Sequence, residues 1–123
     1  MSGKTIEKFR QEREKLNQIV MKYSGSNIKR FHNLDSQVYR EGALPAKTKE
    51  LLGLVASLVL RCDDCIKYHI IRCHEEDIKS DELDEALAIG LVVGGSITIP
   101  HLRRTLQALD ELKKAEKPSK EKT

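Results

Sequence analysis

Glu50-Leu51-Leu52-Gly53-Leu54-Val55-Ala56-Ser57-Leu58-Val59-Leu60-Arg61-Cys62-Asp63-Asp64-Cys65-Ile66-Lys67-Tyr68-His69 decides the reading of this chain. After Glu50 its first half is almost wholly apolar, and its second half gathers two cysteines, two carboxylates and a histidine. Cys62, Cys65 and His69 fall at i, i+3 and i+7, which on a helix of 100° per residue lie within about 60° of one another. The same geometry sets the two cysteine Cα atoms about 5 Å apart, inside the window a disulfide tolerates. The pair can therefore open and close without unfolding the helix. Cys65 and His69 are i and i+4 neighbours, so the imidazole can reach the thiol as its base or hydrogen-bond partner.

Glu50 lies in the first turns of the apolar helix, where the helix dipole favours a carboxylate, so position alone makes it a capping or surface group. An unbroken helix from Glu50 to Cys62 would leave the two about 120° apart, which makes a break near Arg61 useful. Asp63 is a plausible N-cap for a new helix over 64–78, with Cys65 in its first turn. Amides and dipole there lower a thiol's pKa, Asp63 and Asp64 oppose them, and Arg61 and Lys67 offset the carboxylates. The sign of the net shift stays open.

Working outward, the periodicity is helical nearly everywhere and no alternating strand stands out, so the fold class is all-α with about six helices. Leu44-Pro45 opens the central helix over 46–60, the buried centre, because proline is tolerated in a first turn. Upstream, Ile6, Phe9, Leu16, Val20 and Tyr23 mark a helix over about 5–23 that closes near Gly25. Ile28, Phe31, Leu34 and Val38 mark another that stops at Gly42 as a C′ residue, with His32 and Tyr39 as unassigned polar groups beside it. Ser2-Gly3-Lys4-Thr5 ends like a phosphate loop, but without the upstream glycine and strand it is a chance match. Downstream, Ser80 caps a helix whose Leu83, Ala86, Leu87, Gly90 and Val93 form a small and apolar face ending at Gly94-Gly95. A last helix, beginning around Thr98 to Pro100, carries Leu102, Leu106 and Leu109 for a partner helix, with His101 as a first-turn surface residue. From Lys113 the composition turns to Lys and Glu with Pro118 inside, so a disordered tail is expected, over about 115–123.

At 123 residues, 39% hydrophobic and 33% charged, the chain is expected to form one domain over 1–123. Its 22 basic and 19 acidic residues are interspersed and leave +3, which offers no nucleic-acid footprint. The longest apolar run, Leu51 to Leu60, is half the roughly 20 residues a membrane span needs, and no apolar leader opens the chain. A cytoplasmic protein is expected. In that reducing compartment C-x-x-C points to redox or metal chemistry. On one helix Cys62 and Cys73 stand about 16 Å apart along the axis, so Cys62, Cys65, His69 and Cys73 cannot share one zinc ion. No metal is expected. Cys73 reads as a buried small hydrophobe and His74 as a surface residue.

The spacing Glu50, eleven residues, Cys62-Asp63-Asp64-Cys65, three residues, His69 resembles the E-x11-C-x-x-C-x3-H pattern of alkylhydroperoxidase D-like proteins of the carboxymuconolactone decarboxylase family. Leu44-Pro45-Ala46-Lys47-Thr48-Lys49-Glu50-Leu51 is similar to the family's entry to its central helix. Asp84-Glu85-Ala86-Leu87 with Gly94-Gly95 resembles the helix and turn that follow, and the likeness spans about residues 31–112. The resemblance implies an all-helical homo-oligomer, a hexamer in short members. It also implies a peroxidase or disulfide oxidoreductase without a bound cofactor, reduced by an external dithiol of lipoyl type. Cys65 would then attack a hydroperoxide, Cys62 would resolve, and His69 and Glu50 would relay protons. Asp64 departs from the pattern, because those peroxidases carry histidine before the second cysteine. Two other functions stay open: decarboxylation of a muconolactone, the family's named activity, and a non-catalytic oligomeric binding role.

Overall fold

A computed structural model describes residues 4–120, with side chains described over 5–116. The phosphate-loop-like Ser2-Gly3-Lys4-Thr5 therefore falls partly outside the described residues, as does the end of the tail. The described chain is all-α: α1 (Lys4–Tyr23), α2 (Ser26–Val38), α3 (Ala46–Leu60), α4 (Asp63–Glu75), α5 (Ser80–Gly94), a 3-10 turn (Ser96–Thr98) and α6 (Ile99–Lys120). The core forms where α3 packs on α4 and α5, and α4 packs in turn on α6. Leu54 and Leu58 of α3, Ile66, Ile70 and Cys73 of α4, and Leu83 and Leu87 of α5 fill it. Each such aliphatic side chain contributes about 1.5–3 kcal/mol by leaving water. Gly90 lets α5 approach α3, since a Cβ there would stand 3.0 Å from Leu58 Cδ2.

The α3–α4 bend sits where expected and is made by Arg61 in the left-handed region at φ 59°. The Arg61 N–H donates to Leu58 O and the Cys62 N–H to Ser57 O, a Schellman pattern that satisfies the last carbonyls of α3. Pro45, at φ −63°, precedes Ala46 and opens α3.

Several local expectations are corrected. Only one face of α3 is buried, with Leu52 and Leu60 exposed. The N-cap of α4 is Cys62, not Asp63, and the helix runs Asp63–Glu75 rather than 64–78 because the chain turns at Asp77, φ 62°. α2 ends at Val38 with Tyr39 as C-cap, ahead of Gly42. The cap of α5 is Lys79, whose N–H is taken by the Glu82 carboxylate at 2.9 Å, while the Ser80 hydroxyl accepts from Lys113 Nζ at 2.7 Å. Val93 and Leu106 face solvent; on α6 Leu102 and Leu109 do pack against the core, beside the buried Thr105, Ala108 and Leu112. The C-terminal segment is helical to Lys120 rather than disordered from 115, because Leu112 is buried and Glu116 lies 2.6 Å from the half-buried His74.

α1 docks by Ile6, buried, and by Phe9 against the core. α2 is little covered: it buries no residue, and Ile28, Phe31, Leu34 and Val38 are each more than half exposed. A 13-residue helix without tertiary cover is marginal, so that stripe calls for a cover.

Candidate active site

The left-handed turn at Arg61 aims the start of α4 back along α3, and this brings the separated residues of the opening stretch together. Cys62 occupies the N-cap, where its Sγ accepts the Cys65 N–H at 3.3 Å. The two sulphurs are 2.7 Å apart, so closure to a disulfide needs only small side-chain rotations. Cys65 is exposed, Cys62 part-buried, and Cys73 wholly buried. Burial pushes the Cys73 thiol up to about 12, which makes it the inert cysteine of the three.

His69, on the next turn of α4, is 8% exposed. Its Nδ1 lies 3.0 Å from Oε1 of Glu50, itself 2% exposed, so the two meet directly as the bend allows and Glu50 is neither a surface nor a capping group. Oε2 of Glu50 faces Arg72 Nε at 3.4 Å. Arg72 is shared with Glu75 at 2.7 Å and Glu76 at 3.0 Å; the Glu75 hydrogen bond leads in holding the guanidinium charged. A carboxylate acceptor requires Nδ1 of a neutral His69 to carry the proton, which leaves Nε2 as the base. Tyr39 reaches that nitrogen with its hydroxyl at 3.4 Å, and the Tyr68 ring meets the imidazole edge-on at 5.1 Å.

Asp63 does not cap the helix because its carboxylate is engaged elsewhere. His101 Nδ1 lies 2.8 Å from Oδ1 and Arg104 Nε 3.0 Å from Oδ2, which ties the first turn of α4 to α6. Burial alone would raise the Asp63 pKa, but the His101 hydrogen bond and the Arg104 charge hold it below the usual carboxylate range. His101 is therefore a partner of the site's framework rather than a free surface residue.

The thiol of Cys65 is pushed up to about 11 by its hydrogen bond with Cys62, then by burial and by the charges of Cys62 and Asp64, with Arg13 opposing. The sign left open by the sequence is thus upward. On the order of one such thiol in ten thousand would ionise unaided at pH 7, so reactivity there needs a base. Site-resolved alkylation of Cys65 should accordingly gain about tenfold per pH unit through pH 8–10 and level off only near 11. A plateau at pH 8 to 9 would contradict this account.

Cys65 opens onto a cavity of about 590 Å³ between α1 and α4, walled by Phe9, Leu16, Tyr68 and His69. Arg13 also lines it and sits 4.1 Å from the centroid of the Tyr68 ring, a cation–π distance. Among the described residues no three His, Cys, Asp or Glu side chains are grouped to hold a metal ion.

The sequence reading did not assign Tyr39, Arg13, Arg72, His101 or Arg104 to the site. Arg72 was findable, as it stands at i+3 from His69 on the same face. The others arrive from α1, the end of α2 and α6, and no local spacing marks them.

A family model described as the carboxymuconolactone decarboxylase family matches residues 28–109. A solved structure from Thermotoga maritima is 58% identical, with a TM-score of 0.88 over 90% of this chain and 97% of that one. In a second crystal structure of that T. maritima protein (TM-score 0.87, 91% and 95% covered) it is described as a carboxymuconolactone decarboxylase family protein with a suggested part in an antioxidative response. A family protein from Legionella pneumophila shares the fold at 23% identity, TM-score 0.75, over 89% and 96% of the two chains. An uncharacterised protein of Cupriavidus necator is 28% identical over 82 residues, 67% of this chain and 73% of that protein. α1, which supplies Arg13, lies outside the matched family segment.

Proposed function

This chain belongs to the carboxymuconolactone decarboxylase family, and we propose that within it the protein is a thiol-dependent hydroperoxidase that works through a reversible Cys62–Cys65 disulfide. The observation that carries this reading is the sulphur pair, 2.7 Å apart with Cys65 exposed, one helical turn before an imidazole whose Nδ1 lies 3.0 Å from a buried carboxylate. In the T. maritima relative an antioxidative role has been suggested, which agrees in kind.

The chemistry follows from the positions. Cys65, the sulphur that faces the cavity, gives up its proton toward His69, and Glu50 stabilises the imidazolium. The thiolate attacks the terminal oxygen of a hydroperoxide: an S–O bond forms, the O–O bond breaks, and the leaving alkoxide takes the proton. Cys62 then attacks the sulphur of the sulfenic acid, forming the disulfide and releasing water with its own proton. An external dithiol of lipoyl type restores both thiols by exchange, with the exposed Cys65 as its point of entry. No resident cofactor or metal enters the cycle. The cytoplasm, which keeps thiols reduced, is the compartment this cycle suits. No described helix is long and apolar enough to cross a membrane.

The test is a thiol count. The fully reduced chain has three cysteines, and one equivalent of an organic hydroperoxide should remove two thiols and leave Cys73. Survival of all three would reject a peroxide substrate and return attention to protein disulfides, lactones or a binding role.

We further propose a homo-oligomer, a hexamer, in which copies of the chain cover the exposed stripe of α2. Sedimentation should give a single species of that size, and Phe31→Glu, at a side chain 67% exposed, should shift it toward smaller species without unfolding the core. A monomer at micromolar concentration would remove this proposal.

A further inference from the structure

Asp64 stands where the resemblance would put a second histidine, yet Nε2 of His69 is not left facing empty space. We propose that Tyr39 supplies a third link in the proton path, its hydroxyl connecting Nε2 of His69 to the cysteine pair; this rests on the peroxidase reading above.

Three features build the link. The Tyr39 hydroxyl lies 3.4 Å from Nε2, and with Nδ1–H committed to Glu50 the neutral imidazole can only accept there, so the phenol donates. Gly53 of α3 makes the contact possible. A Cβ at that position would stand 2.7 Å from the Tyr39 hydroxyl, 2.7 Å from His69 Cε1 and 2.9 Å from Nε2, so any larger residue would drive the two apart. Lys49 then fixes the approach, because its Nζ donates to Val38 O at 2.8 Å and to Arg40 O at 2.6 Å, pinning the backbone on both sides of Tyr39. A side chain at the exposed end of α2 is thereby held over the least accessible part of the site.

The phenol is kept protonated, as a relay needs: burial raises its pKa above the usual value, and the charges of Asp35, Glu50, Tyr68 and Cys65 add to that. Cys65 precedes His69 by one turn of α4, so the hydroxyl that meets Nε2 sits one helical turn from the thiol's position. In the transfer, the Cys65 S–H bond breaks and its proton joins Tyr39 Oη, while the proton already on Oη moves to Nε2. One S–H bond is exchanged for one N–H bond, the phenol is regenerated, and the charge is carried by a thiolate and by an imidazolium against Glu50. The same hydroxyl then donates to the thiolate it has uncovered. Tyr39 acts through His69, so it is a positioning and relay group whose signature must appear on His69 itself.

The experiment compares wild type, Tyr39→Phe and Gly53→Ala, each checked for helix content. It reads the ¹⁵N resonance of His69 Nε2 in the reduced protein, the single-turnover rate of disulfide formation with cumene hydroperoxide, and the rate of Cys65 alkylation by iodoacetamide. Tyr39→Phe should move Nε2 toward the frequency of a free lone pair, slow disulfide formation by about tenfold or more, and slow alkylation several-fold. Gly53→Ala should reproduce all three changes with Tyr39 still present. An unchanged Nε2 resonance in Tyr39→Phe overturns the proposal whatever the rates do, and so does an unchanged alkylation rate. Should cumene hydroperoxide oxidise none of the three proteins, the peroxidase reading fails, while resonance and alkylation still decide whether Tyr39 governs His69 and Cys65.

Discussion

Cys65→Ser should consume no hydroperoxide, its single-turnover rate lying on the order of a thousandfold or more below wild type. A serine hydroxyl at this position cannot form the S–O bond, and Cys62, part-buried at the N-cap, does not line the cavity through which a peroxide would approach. Cys62→Ser should behave differently. The first step survives, no resolving thiol follows, and a sulfenic acid accumulates on Cys65, where a dimedone adduct located by mass spectrometry reveals it. The opposite result has a geometric basis of its own, since Cys62 Sγ sits at the helix N-terminus and accepts the Cys65 amide at 3.3 Å. A dimedone adduct on Cys62 in the Cys65→Ser protein would therefore reverse the order of attack and assign cavity-facing Cys65 the resolving role.

Replacing Glu50 tests the buried end of the path. Glu50→Gln keeps the size of the side chain but removes the charge that faces the imidazolium, and disulfide formation should fall by about a hundredfold. Stability should respond more to Glu50→Ala. Breaking a buried ion pair typically costs about 3–5 kcal/mol, but Arg72 is 31% exposed and keeps Glu75 and Glu76. The expected loss is therefore nearer 2–3 kcal/mol, part of it from the cavity left beside His69. Urea unfolding at one fixed protein concentration reads the second effect and stopped-flow oxidation the first. A Glu50→Gln protein that oxidises as fast as wild type would detach Glu50 from the chemistry and leave it a structural anchor for α4.

Local chain chemistry made much of this legible. Cys65 and His69, i and i+4 on one helix, and Cys62 just ahead of them at its N-cap are close in sequence, so those three could be grouped before any fold was known. The break at Arg61 was also readable, because only a turn there lets residues twelve apart face each other. Errors gathered at the ends of helices, where a side chain has competing partners. Asp63 has the chemistry of an N-cap, but His101 and Arg104 offer its carboxylate two charge-assisted hydrogen bonds from α6, and the neighbouring Cys62 takes the cap. Composition misjudged the C-terminal segment for a similar reason. Its Lys and Glu content cannot announce that Ser80 and His74 stand ready to receive Lys113 and Glu116.

By itself, then, the sequence determined the helical class, the bend and the dithiol with its neighbouring base, all of which depend on periods of a few residues. The Cys65 thiol is raised first by its local hydrogen bond with Cys62 and only then by burial. Tertiary structure alone decided that Glu50 is buried against His69 rather than capping a helix, and that Tyr39 and Arg13 belong to the site at all. Those outcomes turn on desolvation and on distances between groups on different helices. Both quantities come into being only when α1, α2, α3 and α4 meet around the same few side chains.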